Sequence, residues 1–227
     1  DCIVPIGSDL LEKGLRKEVP AEFYTAVSRT PDVYRGIPFV VEVAVAYGGD
    51  QPADQPATLL RCANRGPLLY EQGACAVFKS VTQTNWKQYA MQQSQGSLPV
   101  GPLTIAVHLA SVWPPFTSEA KEAIAHYPEI IKEMKLAIQE CGRELSRYIN
   151  KKRRVSDQQE RVNIFEKYIP EVAHDLAALS GQKESLIIDA LRAMLAKNKE
   201  FILANQTKVQ EIDKDDDIAI GKANEDE

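Results

Sequence analysis

The spacing of apolar residues changes along this chain, and that change constrains the fold more than any other feature of the sequence. Before residue 116, apolar residues occur in short continuous runs such as 39–47 and 103–110, which is typical of buried strands. Beyond residue 116 they recur at three- and four-residue steps, which is typical of helices with one apolar face. The sequence therefore predicts a sheet followed by helices.

The first half of the chain predicts an α+β layer. Residues 8–18 predict a short helix capped by Ser8, and two strands follow at 39–47 and 58–63. The polar, proline-containing loop between these strands favours an antiparallel pair. A helix over 73–81 and a strand over 103–110 complete the order strand, strand, helix, strand.

The second half predicts a series of helices. Thr117 or Ser118 is expected to cap a short helix, and Pro128 suits the first turn of a long amphipathic helix that ends near Arg154. Ser156 begins a capping-box pattern, which predicts a new helix. Pro170 and Gly181 are expected to interrupt the chain before a last helix over 186–203, and the acidic residues from 211 onward predict disorder.

Composition narrows the possible classes of function. The formal net charge of −5 argues against a protein that coats nucleic acid through bulk positive charge, so any DNA contact must be local. No window approaches the roughly 20 apolar residues that span a bilayer. The four cysteines lie far apart and share no ligand-like spacing with the three histidines, which favours buried thiols over disulfides or a metal site.

A stand-alone enzyme is a competing interpretation, with His108 as its best candidate for a catalytic residue. The sequence has no Gly-x-Ser-x-Gly elbow that would present a nucleophilic serine. His108 also lies within the apolar run 103–110, where a hydrogen-bonded core histidine is the more common outcome. The sequence therefore favours a packing role for this histidine.

Three irregular strings of residues point to a known family. They are 63–76 (ANRGPLLYEQGACA), 85–89 (NWKQY) and 98–102 (LPVGP), the last continued by 116–124 (FTSEAKEAI). Together with shorter matches at 22–27 (EFYTAV) and 33–39 (VYRGIPF), they resemble the B subunit of topoisomerase VI, a type IIB DNA topoisomerase. The resemblance covers residues 1–180, and the residues after 180 match no family motif.

The resemblance implies a particular order of domains. In that family a GHKL-class ATPase domain is followed by a helix-two-turn-helix insert and then by a transducer. The transducer has a split βαβ fold, like a domain of a ribosomal protein, and a long exit helix. Residues 1–20 would end the insert, and 21–155 would form the transducer with its exit helix. Residues 156–205 would be a helical extension and 206–227 an acidic disordered tail, while the ATPase domain would precede Asp1.

The resemblance assigns Lys121 the role of a switch lysine that reaches into the ATPase domain and contacts the γ-phosphate of ATP. ATP and Mg²⁺ would be bound by that upstream domain, and this chain alone would bind neither. A lysine in the first turn of the helix predicted after Ser118 would oppose the helix dipole, and an approaching anion would relieve that cost. The alternative is an ordinary solvated lysine.

Trp86, Lys87 and Tyr89 resemble the Trp-Lys-x-Tyr element of the family, which is implicated in contact with duplex DNA. A lysine binds phosphate as a point charge, while flanking aromatic rings pack against sugar or steady the loop. The alternative is that Trp86 and Tyr89 fill the core beneath a surface lysine.

Lys151, Lys152, Arg153 and Arg154 form a basic run at the end of the predicted long helix. Such a run can attract a DNA backbone or an acidic partner surface. Cations at the carboxyl end of a helix are also favourable in themselves, so a purely structural role is the alternative.

The function implied by the resemblance is a coupling step. The transducer would couple ATP binding and hydrolysis to DNA cleavage and strand passage by the A subunit, which bears the cleaving tyrosine. The implied partners are the A subunit through the exit helix, double-stranded DNA, and a second B subunit on ATP-driven dimerisation, with no membrane. The location would be the cytoplasm, associated with the nucleoid, or the nucleus in a eukaryotic source. The competing interpretation is a helical protein-interaction module without a role in ATP sensing.

Overall fold

The computed structural model describes residues 5–197. These residues belong to two compact units that divide between Lys152 and Arg153. The first unit mixes helices and a sheet, so the predicted α+β class is confirmed. The described part of the second unit is helical apart from one short connection at 181–183.

The first unit is built on a mixed sheet. The described strands are, in chain order, β1 (Phe23–Ser28), β2 (Asp32–Tyr34), β3 (Ile37–Tyr47), β4 (Thr58–Ala63), β5 (Gly66–Pro67), β6 (Gln92–Gln93), β7 (Pro99–Val100) and β8 (Leu103–Ser111). The strands of the mixed sheet follow the order β1-β3-β8-β4-β5, and β2 also pairs with β3. A separate two-stranded sheet joins β6 to β7.

The strands predicted at 39–47 and 58–63 are present as β3 and β4, but they are not neighbours. Strand β8 lies between them, antiparallel to β3 and parallel to β4. The predicted antiparallel pair is therefore wrong. The run 103–110 is mostly apolar because a central strand is covered on both faces. The order of the strands along the chain did not reveal that β8 is the central one.

Three helices pack on the sheet within the first unit: α1 (Ser8–Glu18), α2 (Ala76–Gln83) and the first part of α3 (Pro128–Ser180). Side chains at alternate positions of β3 and β8 build the main core with α2 and α3, among them Val43, Val107 and Ile138. On the opposite face, Leu15 of α1 packs against Ala44 and Ala46 of β3. The small alanine side chains allow this helix to approach the sheet closely.

Helix α1 has the predicted bounds, but Ser8 does not cap it. Gly7 occupies the capping position with φ of 87°, and Ser8 is already the first helical residue. A glycine suits this position because the left-handed backbone is strained for residues that carry a Cβ.

Helix α3 continues without a break through Ser156 and Pro170 to Ser180. The predicted helix start at Ser156 is therefore wrong, because the residues around it are mostly strong helix formers such as Arg, Gln and Glu. Gly181, with φ of 69°, follows the helix end, and a further helix covers 184–197. The rest of the predicted last helix and the acidic tail lie outside the described residues. Within residues 5–197, no helix combines the length and the apolar character needed to cross a membrane.

Candidate functional site

Lys121 lies at the tip of a loop that an antiparallel bridge between Phe116 and Ile124 closes. The amide of Thr117 donates a hydrogen bond to the carbonyl of Ala123 at 2.9 Å, and the Lys121 amide donates to the Ser118 carbonyl at 3.2 Å. The predicted short helix after Ser118 is therefore wrong, since the chain reverses direction here. Lys121 has φ of 56°, a left-handed conformation typical of turns, so the helix-dipole argument does not apply to it.

The base of this loop is fixed to the core. Ala123 and Ile124 are fully buried, and the amide of Ala76 at the start of α2 donates to the carbonyl of Ile124 at 2.8 Å. The amide of Ala125 donates to the carbonyl of Pro115 at 2.7 Å. The exposed ammonium-bearing side chain of Lys121 is thus presented to solvent from a loop whose base is buried and hydrogen-bonded to the core.

Trp86, Lys87 and Tyr89 form a short 3-10 helix with two buried rings and one exposed cation. The indole Nε1 of Trp86 donates to the carbonyl of Val81 at 2.9 Å, and the two rings meet edge to face at a centroid distance of 6.2 Å. Trp86 is fully buried and Tyr89 nearly so. The two rings therefore fill the core, and only Lys87 of the three is placed where its side chain can reach a phosphate.

Tyr89 connects this turn to α3. Its ring lies directly against Gly142, where the helix surface carries no side chain. The geometry explains why a glycine occupies the interior of a long helix, where it is otherwise unfavourable. The position of Lys87 is thereby tied to α3 within the first unit.

The basic run at 151–154 is exposed along its length. The carboxylate of Glu22, just before β1, accepts hydrogen bonds from the ammonium of Lys152 and, at 3.0 Å, from the hydroxyl of Tyr148. The hydrogen bond from Lys152 and that from Tyr148 lower the pKa of Glu22. Because α3 continues to Ser180, the run does not lie at a helix end, and the structural alternative based on the helix dipole is wrong.

His108 is a buried structural residue, as its sequence context predicts. Its Nε2 accepts a hydrogen bond from the amide of Arg65 at 3.0 Å, which places the proton on Nδ1, 2.8 Å from the carboxylate of Glu42. Glu42 is itself fully buried and accepts from the amides of Ile6 at 2.9 Å and Gly7 at 2.6 Å. Sequence reasoning missed this network, although a glutamate within the apolar run 39–47 was a signal for a buried partner.

The pKa of the Glu42 carboxyl lies below its ordinary value. Burial on its own raises the pKa of this carboxyl, but the hydrogen bonds from His108, Ile6 and Gly7 outweigh it and hold the pKa below the ordinary value. The network fastens the segment before α1 to the middle of the sheet.

The described part of the chain contains no evident metal-binding site. Among residues 5–197, no group of three or more His, Cys, Asp or Glu side chains is arranged to hold a metal ion. Cys62, Cys75 and Cys141 are free thiols, and Cys75 and Cys141 are buried.

The chain is similar to known proteins over most of its length. The family model described as "Topoisomerase VI B subunit, transducer" matches residues 1–161. The B subunit of type 2 DNA topoisomerase 6 from Methanococcoides burtonii is 46% identical over 177 residues, which are 78% of this chain and 28% of that protein. The corresponding protein of Archaeoglobus fulgidus is 45% identical over 195 residues, which are 86% of this chain and 32% of that protein.

A more distant relative and one solved structure extend these similarities. The B subunit of type 2 DNA topoisomerase 6 from Pyrococcus furiosus is 42% identical over 184 residues, 81% of this chain and 31% of that protein. The crystal structure of the B-subunit of the DNA gyrase from Myxococcus xanthus aligns with a TM-score of 0.39 at 19% identity, over 60% of this chain and 38% of that one. This likeness is too low to carry an argument. The chain thus spans less than a third of the length of these curated relatives.

Proposed function

Because this chain belongs to the transducer family of topoisomerase VI B subunits, we propose that it is the coupling part of an ATP-dependent type IIB DNA topoisomerase. In this role it links ATP binding and hydrolysis by a GHKL domain to DNA cleavage and strand passage by the A subunit. We assign this GHKL domain to the part of the B subunit that the curated relatives have beyond the matched residues, since the match covers 28% of one of them. The protein then works where chromosomal DNA lies, in the nucleoid or the nucleus.

The observation that carries this proposal is the presentation of Lys121. Its side chain is exposed at a loop tip, while the loop base at Ala123 and Ile124 is buried. A lysine on such a support can meet an anion without ordering a mobile loop first, which saves conformational entropy. Only ATP carries a γ-phosphate, so the contact distinguishes ATP from ADP. It thereby biases the orientation of the GHKL domain relative to the transducer.

The nucleotide and its Mg²⁺ are assigned to the GHKL domain and not to this chain. Lys121 supplies one point charge for a phosphate oxygen, which fits a sensor and not a complete binding site. In the stretch 5–197, no group of three or more His, Cys, Asp or Glu side chains is arranged to hold a metal ion. ATP-driven association with a second B subunit likewise depends on that upstream domain.

Double-stranded DNA is the proposed ligand of Lys87. This lysine projects from a turn whose two aromatic rings are locked in the core, so its position is well defined. Contact between Tyr89 and Gly142 connects the turn to α3, which gives DNA binding a direct mechanical link to the exit helix. Lys151, Lys152, Arg153 and Arg154 are a second group of cations for the DNA backbone, and Lys152 must leave Glu22 to join them.

The A subunit is the proposed partner of an apolar stripe in the second unit. Five side chains at three- and four-residue steps along α3 are between 41% and 85% exposed: Phe165, Tyr168, Val172, Leu176 and Leu179. Apolar side chains at this spacing form one helix face, which is the usual way in which a helix docks into a partner groove. The same stripe is the observation that favours the alternative, a helical interaction module without ATP sensing.

The two functions are separated by one experiment on the complete B subunit together with the A subunit. Relaxation of supercoiled DNA is measured with ATP, with ADP and with a non-hydrolysable ATP analogue. The proposed function requires relaxation with ATP and strand passage limited to a single round with the analogue. Association of the two subunits that leaves DNA topology unchanged under all three conditions would support the interaction module instead.

A further inference from the structure

A long stretch of this chain carries no acidic residue. No Asp or Glu occurs over 72–118, although the whole chain has 32 acidic residues among 227. The part of this stretch at 82–97 is rich instead in Gln, Asn, Ser and Thr, and it contains Lys87. A segment without carboxylates brings no charge of its own that repels a phosphate backbone.

Several residues of the segment 82–97 present side-chain amides at the surface. We call these groups the exposed amides, and they belong to Gln83, Asn85, Gln88, Gln92 and Gln95. None of them forms a side-chain hydrogen bond within the part of the chain that the structure describes. Each amide has two N–H donors and one oxygen acceptor, so all five can bond to a ligand without giving up a contact within residues 5–197.

Gln93 differs from the exposed amides because its side chain holds the segment together. Its Oε1 accepts a hydrogen bond from the amide of Trp86 at 3.1 Å. Its Nε2 donates to the carbonyl of Thr82 at 3.2 Å and to that of Ser97 at 3.0 Å. One side chain thereby joins the end of α2, the turn that carries Lys87 and the loop before β7. A ligand that meets this segment needs to order only side chains, which keeps the entropic cost of binding low.

Asn85 and Gln88 are the exposed amides that lie closest to Lys87 along the chain. Within the turn, Trp86 and Tyr89 are buried, whereas Asn85, Lys87 and Gln88 are exposed. The two buried rings fix which side of the turn faces the core, so both amides lie on the outer side with the lysine. A ligand that reaches the ammonium group of Lys87 therefore meets an amide on either side of it.

Helix α3 brings no unpaired carboxylate to this turn. The turn meets the helix at Gly142. Within one helical turn of that glycine, α3 carries two acidic residues, and each has an arginine beside it. The carboxylate of Glu140 is 3.4 Å from Nη1 of Arg29, and that of Glu144 is 2.7 Å from Nη1 of Arg147. The approach of an anion to the turn is therefore not opposed by an unpaired charge from this part of the helix.

We propose that the side-chain amides of Asn85 and Gln88 bind the backbone of duplex DNA beside Lys87. Their N–H groups donate to phosphate oxygens, as those of Asn and Gln do in many protein–DNA complexes. This inference rests on the DNA-binding role proposed for Lys87, and it adds an uncharged part to that contact. A neutral amide neutralises no phosphate and releases no counterion, so its contribution to affinity does not depend on salt in the way that of a lysine does.

The test measures how the complete two-subunit enzyme binds a short blunt-ended DNA duplex at a series of salt concentrations. The double variant Asn85→Ala/Gln88→Ala is expected to bind on the order of tenfold more weakly at every salt concentration, as for the loss of two hydrogen bonds. The slope of log affinity against log salt is expected to stay that of the wild type, whereas Lys87→Ala reduces it by about 1. Gln72→Ala, which removes an exposed amide before α2, is the matched control and is expected to bind as the wild type does.

The pattern of losses separates this inference from the role of Lys87. Wild-type affinity in the double variant, together with weakened binding by Lys87→Ala, would overturn the inference and leave the DNA-binding role of the lysine standing. Wild-type affinity in both variants would overturn that role and the inference with it. A changed salt slope in the double variant would show that its effect is electrostatic, and it would also overturn the proposal.

A second double variant, Asn85→Asp/Gln88→Glu, keeps the proposal testable if the alanine variant fails to fold. The new side chains have the same shape as the native ones, but each replaces N–H donors by a carboxylate that repels a phosphate. This variant is expected to bind DNA more weakly than the alanine variant does, and most clearly at low salt, where charge repulsion is least screened. Wild-type affinity at low salt would show that DNA does not approach these positions, and it would overturn the proposal.

Discussion

The ring of Tyr89 lies so close to Gly142 of α3 that a Cβ atom added to this glycine would be 2.7 Å from the ring carbon Cδ2. Real Cβ atoms essentially never approach a neighbour this closely, so the ring and the helix fit only while residue 142 is glycine. Tyr89 belongs to the turn that carries Lys87. This contact therefore links the turn of the proposed DNA-binding lysine directly to the helix.

Gly142→Ala is expected to destabilise the protein, although alanine normally stabilises a helix interior. The methyl group must displace the Tyr89 ring, and overpacking of this kind costs about 1–3 kcal/mol. Urea unfolding followed by circular dichroism measures the loss. The matched control is Gly14→Ala in α1, where a Cβ meets nothing within 4 Å, and this change is expected to stabilise by about 0.5–1 kcal/mol. Equal effects of the two changes would contradict the contact.

Lys121→Gly and Lys121→Ala are both expected to lower ATP turnover and DNA relaxation in the complete two-subunit enzyme, on the order of tenfold to a hundredfold, as for the loss of one hydrogen bond to a charged group. Glycine accepts the left-handed backbone at φ of 56° without strain, so a loss in this variant is due to the missing ammonium and not to a distorted loop. Lys132→Ala, at an exposed position of α3, serves as the control and is expected to retain activity. Normal turnover in Lys121→Gly would remove this lysine from the mechanism.

Lys87→Glu is expected to weaken duplex binding most strongly at low salt and to leave folding intact. Each phosphate contact releases counterions, so its loss reduces the slope of log affinity against log salt by about 1. Binding isotherms at several salt concentrations measure this slope. An unchanged slope would assign the turn to packing alone.

Trp86→Ala is expected to act on stability instead of on DNA affinity. The ring is fully buried and its N–H is bonded to Val81, so the truncation costs about 3–5 kcal/mol. Thermal unfolding of the variant measures the cost. A stable variant with weakened DNA binding would show that the ring leaves the core when DNA binds.

The Glu42 network makes stability depend on pH in a defined direction. The pKa of Glu42 is lower in the folded state than in the unfolded chain, where it is about 4.3. The contribution of the Glu42 carboxylate to the free energy of unfolding is therefore fully present above the pKa of the unfolded chain. It is lost as the pH falls through the lower pKa of the folded state. Urea midpoints between pH 7 and pH 3 are expected to fall less steeply for Glu42→Gln than for the wild type. The same slope in both proteins would show that another group controls acid unfolding.

The sequence predicted elements well where each one has a strong local pattern. Helix α1 and strand β4 have the predicted bounds, and β3 and β8 differ only at their ends. Strand β1 was missed because it lies at the edge of the sheet, where its side chains are only half-buried and show no apolar run. The loop around Lys121 was predicted as a helix because its residues are good helix formers, and nothing local reveals the bridge between Phe116 and Ile124.

The sequence by itself determined the α+β class, the family and the residues that the proposed function uses, because periodicity and long residue strings are properties of the chain alone. Only the tertiary structure decided which strands are neighbours and that Trp86 and Tyr89 lie inside while Lys87 faces out. These features depend on residues far apart in sequence that meet across the sheet. Burial and pairing follow from such contacts, and no local pattern records them.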